Sequence, residues 1–351
     1  KCTFNQNSAN AYNVWTYGAR EVDFIECTFN SVGKSVLIYN ESELVTNDVT
    51  VTDCDFIASA PVEGKAAIEM DSSLQGYIKL TVDAATTVTG FGKGKVSGNS
   101  LWNNKKGNET EANNDITVVV NGETVLAPLP LVAMTADDKK HRFTSLQAAY
   151  NNVAADGTIT ILNSVEGPGL VINKNVTIDF AGYTYTFNEG VGSTGTETNG
   201  LQIYAGNTVV LKDGALNVAE TAKENFYILV QNYANLTVDG MKLDGTNLDK
   251  YSGTDGDSYA LSNNSGTVEI KGATEIIANN EGDKAFAFDV CKYASYAAPV
   301  VNVTGAEVKV NGAIEVHQDI PNNLNISAGT FTTEIEEAWC ANGFIPKDNG
   351  D

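Results

Sequence analysis

The sequence of 351 residues predicts an all-β chain folded as a parallel β-helix, a β-solenoid, and three observations carry that prediction. Six segments repeat an apolar-polar-apolar phrase closed by a small polar corner, beginning at Val176, Val209, Leu236, Val268, Val301 and Leu324, at intervals of 33, 27, 32, 33 and 23 residues. Self-similarity at a near-constant interval marks a stacked repeat, and the period-two alternation inside each phrase makes the repeating unit a strand. Four phrases then run through a glycine (Gly214, Gly240, Gly272, Gly305) into a second alternating stretch. Glycine at that point is expected to adopt the left-handed backbone of a sharp corner. The first third repeats with other markers: Cys2-Thr3-Phe4, Cys27-Thr28-Phe29 and Cys54-Asp55-Phe56, spaced by 25 and 27 residues, with Val14-Trp15-Thr16-Tyr17, Val36-Leu37-Ile38-Tyr39 and Ala67-Ile68-Glu69-Met70 supplying another strand per coil. A turn of about 25 residues accommodates three short strands and three corners, since each strand residue advances about 3.3 Å.

Taken in order, residues 1–100 form a first solenoid block whose coil pattern dissolves after Val88 into Gly90-Phe91-Gly92-Lys93-Gly94. Residues 101–143 read as loop, β-hairpin and connector: Asp115–Val120 and Glu123–Leu126 flank Asn121-Gly122, a two-residue hairpin turn, and Pro128 and Pro130 punctuate the connector. The second block, 144–332, opens with a short helix capped by Thr144 or Ser145, with Leu146, Ala149, Tyr150 and Val153 on one face and Asp156-Gly157 as its stop. Residues 333–351 form a C-terminal cap: Thr333-Glu334-Ile335-Glu336 has the form of a capping box for a second short helix through Trp339, stopped by Gly343, before a hairpin begins at the last residues. Helices at these places cover the apolar core and strand edges that the end of a solenoid exposes. Because the sequence starts in mid-coil and ends in a hairpin turn, it is expected to be a window cut from a longer protein.

Composition narrows the function classes. The formal charge is −22, from 44 acidic and 22 basic residues, a field that repels phosphate backbones and disfavours nucleic acid and anionic membrane surfaces as partners. No apolar run is long enough for a spanning helix, so direct membrane insertion is not expected. Cys2, Cys27 and Cys54 share one coil position and are expected to stack inside the solenoid as small hydrophobes. In parallel register their side chains point the same way, which suits a disulfide poorly.

The run Ser145-Leu146-Gln147-Ala148-Ala149, then Asp156-Gly157-Thr158-Ile159-Thr160-Ile161-Leu162 and Asn175-Val176-Thr177-Ile178-Asp179, resembles the opening of right-handed parallel β-helix domains of the pectin-lyase-like superfold. It is similar to those of secreted or cell-surface proteins of gut-type anaerobic bacteria, and the tail from Gly329 to Asp351 resembles the end of such modules. The resemblance implies a right-handed solenoid and an extracellular or cell-surface location. It leaves the activity open, because the superfold hosts lyases, hydrolases, phage tailspikes and adhesins. Its lyases use a Ca²⁺-binding acidic cluster with an Arg or Lys base, its hydrolases three Asp with a nearby His and Arg, and neither set stands as a motif in this chain.

No catalytic residue is therefore assigned, and neither are binding residues or metal ligands. Arg20, Arg142, His141 and His317 read as solvated side chains. Asp179, Asp213 and Asp239 at one corner, and Asp53 with Asp55 at another, offer carboxylate pairs of the kind glycoside hydrolysis needs, but an Asp after a strand more commonly bonds nearby backbone N–H groups. The acidic loop 244–257, with Asp244, Asp249, Asp255 and Asp257, carries oxygen ligands suited to Ca²⁺ without the order of an EF-hand, and reads as a long polar corner. No cofactor is expected apart from that Ca²⁺ option. Trp15, Tyr17 and Tyr39 in the first block, and Tyr204, Tyr227, Tyr233, Tyr259, Tyr293 and Tyr296 in the second, read as internal ladders in preference to a platform for sugar faces.

The expectation is a non-enzymatic extracellular module, an adhesin or stalk binding carbohydrate or protein at the cell surface. One alternative is a polysaccharide lyase, glycoside hydrolase or tailspike-like protein using paired Asp on a sheet face. Another is a fibre or surface-layer repeat that self-associates as homo-oligomer or filament. Specificity is expected in the corner loops 101–114, 189–199 and 244–257.

Overall fold

The computed structural model describes residues 1–40, 46–72, 77–105, 116–128, 131–135, 142–193, 196–222, 226–249, 257–279, 284–348 and 350. The chain forms two compact units, Lys1–Leu131 with Lys139–Thr144, and Val132–Asp138 with Ser145–Asp351. Each is a β-solenoid of stacked parallel strands.

In the first unit, each coil gives one strand to each of three sheets. Thr3–Asn5, Thr28–Ser31, Asp55–Ala58 and Thr87–Thr89 make the first sheet; Val14–Tyr17, Val36–Asn40, Ile68–Ser72 and Trp102–Asn104 the second; Glu21–Ile25, Thr46–Thr52, Tyr77–Val82 and Ile116–Val120 the third. All these neighbours pair in parallel with matching residues in register. The solenoid thus runs beyond residue 100: Trp102–Asn104 and Ile116–Val120 build a fourth coil, which the sequence pattern missed because one strand has only three residues, two of them Asn. The expected hairpin is present, with Glu123–Leu126 antiparallel to Ile116–Val120 across Asn121 and Gly122, both at positive φ.

Strict register stacks like on like. Phe4, Phe29 and Phe56 form an internal ladder with ring centroids 4.8 and 4.6 Å apart and planes within 9° and 5° of parallel, close to the inter-strand spacing of about 4.8 Å. Cys27 and Cys54 are buried beside it as expected, whereas Cys2 is exposed; all five cysteines are free thiols. Burial pushes the Cys54 thiol up, and its S–H donates to the Phe24 and Thr52 carbonyls at 3.3 Å.

In the second unit the six phrases lie in register in one wall, Val176 beside Val209, then Leu236, Val268, Val301 and Leu324. Their apolar residues are almost wholly buried. The stretches beyond the corner form a second wall with Val165–Pro168, Thr184–Glu189, Glu275–Ile277, Lys309–Asn311 and Thr330–Phe331. A third is built from Leu170–Ile172, Thr196–Ile203, Ile228–Asn232, Ser258–Asn263, Ala285–Val290 and Ala313–Val316.

The corner glycines divide into two kinds. Gly240 (φ 64°) and Gly272 (φ 62°) take the left-handed conformation, but in the equivalent turn of the preceding coil Asp213 (φ 58°) takes it instead of Gly214, a conformation a short polar side chain tolerates. Gly214 and Gly305 serve close approach: a Cβ on Gly214 would lie 2.3 Å from Phe180 Cβ, and one on Gly305 2.7 Å from the Gly272 carbonyl oxygen.

The opening helix is present at Leu146–Asn152, with Ser145 as N-cap accepting the Ala148 N–H at 3.1 Å and Leu146, Ala149 and Tyr150 buried. The second expected helix is a single 3₁₀ turn, Glu337–Trp339, with no side-chain cap. The chain leaves that turn to pair with the solenoid, Cys340 bridging Ile326 and the Ala341 N–H reaching the Ile326 carbonyl at 2.9 Å, so the backbone is drawn extended. Among the described residues no helix is long and apolar enough to cross a membrane.

Candidate functional site

The outward face of the second sheet of the first unit gathers the most chemistry. Side chains alternate across a strand, so the register that puts Val14, Val36 and Ile68 inside puts Trp15, Leu37, Glu69 and Asn103 in one outward column and Tyr17, Tyr39 and Asp71 in the next. Trp15 and Tyr17 are each 60% exposed. Tyr17 stacks on Tyr39 at 5.2 Å and 21°, and Trp15 stands edge-on to both at 6.0 and 6.1 Å. Trp15 and Tyr17 face solvent and Tyr39 is half-buried against them on the outward side, contrary to the internal ladder expected of the three; Phe, at the opposite parity of another sheet, takes the inside.

Along the same face the aromatic ridge gives way to charge. Glu69 is wholly buried, its Oε1 accepting the Ala66 N–H at 2.9 Å and its Oε2 lying 3.4 Å from Lys65 Nζ and 3.1 Å from Asn103 Nδ2. Asp71 pairs with Lys105 Nζ at 2.9 Å. The Tyr12 hydroxyl is pushed up to about 12, by burial first and then by the charges of Glu69 and Asp71. Lys34 stands 4.6 Å from the centre of that ring, its ammonium held below its ordinary value by burial and then by Lys65.

The second unit carries two further features. Tyr233 meets Tyr296 at 5.0 Å and Tyr293 at 6.0 Å, and with Ala205, Asn207 and Gly266 lines a cleft of about 340 Å³. Tyr204, Tyr293 and Tyr296 are exposed, again against the internal reading. On the outward side of the third wall, Gln231 accepts from Gln202 at 2.7 Å and Asn199 at 3.2 Å, and the row continues through Ser262, Asp289 and Glu315. Asp289 is buried and accepts from the Ser262 hydroxyl at 3.2 Å and from the Asn263 N–H. Burial drives its carboxyl well above the usual range, those hydrogen bonds opposing and the neighbouring Glu315 charge adding to the rise. Tyr259 donates to Glu315 at 2.5 Å and to Asp257 at 3.1 Å, and the Cys291 thiol, raised by burial and then by Asp289 and Glu315, lies 3.6 Å from Glu315. Oxygen and sulfur atoms of Asp289, Cys291 and Glu315 lie within 4.8 Å of one another, a spacing that can hold a metal ion. The parity of Phe288-Asp289-Val290 and Ile314-Glu315-Val316 already pointed both acids outward on successive coils; reading acids only at strand ends overlooked them.

The acids singled out by sequence stay at corners. Asp179 accepts the Ala181 N–H at 2.9 Å and pairs with Lys212 at 2.7 Å; Lys212 also reaches Asp213 at 3.2 Å, and Lys271 reaches Asp239 at 3.4 Å. Asp53 occupies a left-handed corner (φ 48°), and Asp55 accepts the Thr87 hydroxyl at 2.6 Å. Arg20 is exposed, as expected. Arg142 is not: it is buried over the Tyr77 ring at 4.7 Å and bonds the Tyr77 hydroxyl, its guanidinium plane suited to stacking on an aromatic face. His317 lies 3.7 Å from Asp319 at the surface, and His141 falls outside the described residues. In the loop 244–257, burial works against ionisation of Asp244, but Lys242 at 2.9 Å and Thr246 hold its carboxyl below the usual range. Residues 250–256 of that loop lie outside the described residues, as do 106–114 and 194–195 of the other two.

Compared with known proteins, the chain matches no protein-family model, no curated protein and no solved structure.

Proposed function

We infer that this chain is a carbohydrate-binding module of a bacterial cell-surface or secreted protein, an adhesin or stalk of the pectin-lyase-like superfold, without catalytic activity. The observation that carries this reading is the outward ridge of exposed Trp15 and Tyr17, backed by half-buried Tyr39, on a rigid sheet. Stacked parallel strands fix the rings before binding, and ring faces offer apolar area to the C–H faces of a pyranose at little entropic cost. The net charge of −22 favours neutral over polyanionic glycans. Titration calorimetry against neutral plant and host oligosaccharides is the test: binding is expected, and Trp15→Ala should weaken it at least about tenfold, the cost of about 1.4 kcal/mol. Unchanged affinity in Trp15→Ala would refute the assignment to this face.

A second reading is favoured by one observation. Asp289, its carboxyl driven well above the usual range by burial, lies one coil from Glu315, which Tyr259 hydrogen-bonds; two carboxyl groups in contrasting environments are the requirement for glycoside hydrolysis. Reducing-end release from the same glycans, abolished by Glu315→Gln, would establish it.

A further inference from the structure

Glu69 holds an amine and a carboxamide on one buried oxygen. Its Oε2 contacts Lys65 Nζ at 3.4 Å and Asn103 Nδ2 at 3.1 Å, while its Oε1 is engaged by the Ala66 N–H at 2.9 Å. Glu69 and Asn103 are register partners in the third and fourth coils, 0% and 1% exposed. The amide oxygen is held as firmly as the nitrogen: Asn103 Oδ1 accepts the Val96 N–H at 3.0 Å and the Ser97 N–H at 3.3 Å, two backbone donors from one turn. Gly94 closes over the same side chain, and a Cβ there would lie 2.6 Å from Asn103 Cβ and 2.7 Å from Oδ1, so the carboxamide cannot swing away.

We propose that Lys65 and Asn103 join in an intramolecular isopeptide bond, with Glu69 as the catalytic proton carrier. Glu69 takes a proton from the Lys65 ammonium, and the freed Nζ lone pair forms a bond to Asn103 Cγ. The displaced carbonyl π pair settles on Oδ1, where two backbone N–H groups already point; paired donors of this kind stabilise a tetrahedral oxyanion. Glu69 passes its proton to Nδ2, the Cγ–Nδ2 bond breaks, and the remaining surplus proton on Nζ leaves with the ammonia. The balance is an ammonium side chain and a carboxamide giving a secondary amide and one ammonium ion, with Glu69 regenerated. No oxidant, metal or cofactor enters. Burial of Asn103 keeps water from its carbonyl carbon, and the shared Glu69 carboxylate brings the half-buried Lys65 to it, which replaces an unfavourable bimolecular encounter.

The test is intact-mass spectrometry of the whole folded chain followed by proteolysis and fragmentation. The expected result is a mass lower than the sequence by one ammonia and a branched peptide joining Lys65 to residue 103. The branched peptide is decisive, because cyclisation at an Asn-Gly pair such as Asn121-Gly122 also releases ammonia but leaves linear peptides. Lys65→Arg and Glu69→Gln should each show the full sequence mass with an unchanged circular dichroism spectrum. A folded wild-type chain that keeps its full mass after prolonged incubation, with Lys65 and Asn103 in separate peptides, overturns the proposal. A branched peptide persisting in Glu69→Gln overturns the role of Glu69. Should Glu69→Gln not fold, the wild-type mass and the surface-compatible Lys65→Arg variant decide.

Discussion

Replacing Phe29 by Ala tests whether the internal ladder holds the first unit together. Phe29 is wholly buried, sandwiched between Phe4 at 4.8 Å and Phe56 at 4.6 Å, with Phe24 edge-on at 5.3 Å. Truncating a buried Phe costs about 3–5 kcal/mol in transfer and cavity terms. The three ring contacts add about 0.5–1.5 kcal/mol each beyond area where the geometry is good. The neighbouring coils cannot collapse into the gap, because their backbones are locked by the parallel ladders on both sides. A loss near the upper end, about 5 kcal/mol, is expected. Urea unfolding followed by the fluorescence of Trp15 and Trp102, both in this unit, reads it in a Trp339→Phe background that silences the second unit. Tyr17→Ala is the control: a stacked ring at the surface, 5.2 Å from Tyr39 and tilted by 21°, with a cost below about 1.5 kcal/mol. A Phe29→Ala variant within about 1 kcal/mol of wild type, or a Tyr17→Ala variant equally destabilised, would refute the assignment of the stability to the internal rings.

Other outcomes rest on single side chains. Asp289 has a folded-state pKa raised above its unfolded value of about 3.9, so its contribution is present below that pH and is lost as pH rises through the folded value; Asp289→Asn, which keeps one oxygen to accept the Asn263 N–H and presents its amide N–H to the Ser262 hydroxyl oxygen, should raise the melting temperature at neutral pH and flatten its pH dependence. Gly266→Ala should be strongly destabilising, because φ is 80° and the new Cβ would lie 2.1 Å from the Ala234 carbonyl oxygen. Gly206→Ala, at φ 83° with open space around it, should cost only the conformational penalty of about 1–2 kcal/mol; paired thermal melts check both. Arg142→Ala should destabilise through the lost packing on Tyr77, and a thermal melt indistinguishable from wild type would show that the buried guanidinium contributes nothing.

The scaffold was largely legible. All six phrases of the second unit occupy the register that their spacing implied, because alternation and a coil-length interval are properties of the backbone path and leave their mark on every residue. The corner conformation was harder to read. Asp and Gly both reach positive φ, so Asp213-Gly214 and Asp239-Gly240 look alike in sequence but place the left-handed residue one position apart. The candidate site was legible in its residue types and not in its sides. Trp15, Tyr17 and Tyr39 announce an aromatic column, yet whether that column faces core or solvent depends on strand parity, which the polar strand residues left ambiguous. The Lys65, Glu69, Asn103 convergence joins residues of different coils and was out of reach, since it exists only once Glu69 and Asn103 are register partners.

The stacking of phrases 23 to 33 residues apart in sequence also bears on how the chain acquires its fold. For a protein whose regular structure is almost wholly strand, its sheet partners are close along the chain: among the described residues, the inner wall strands pair with the coil before and the coil after, the end strands with one of them, and none with anything more remote. Mean sequence separation of contacts sets folding speed across small proteins, and quasi-one-dimensional stacks can nucleate at one point and propagate. Synthesis and folding can then proceed together, each new coil docking on a finished template as it emerges, with one strand edge per sheet open at any moment to mispairing.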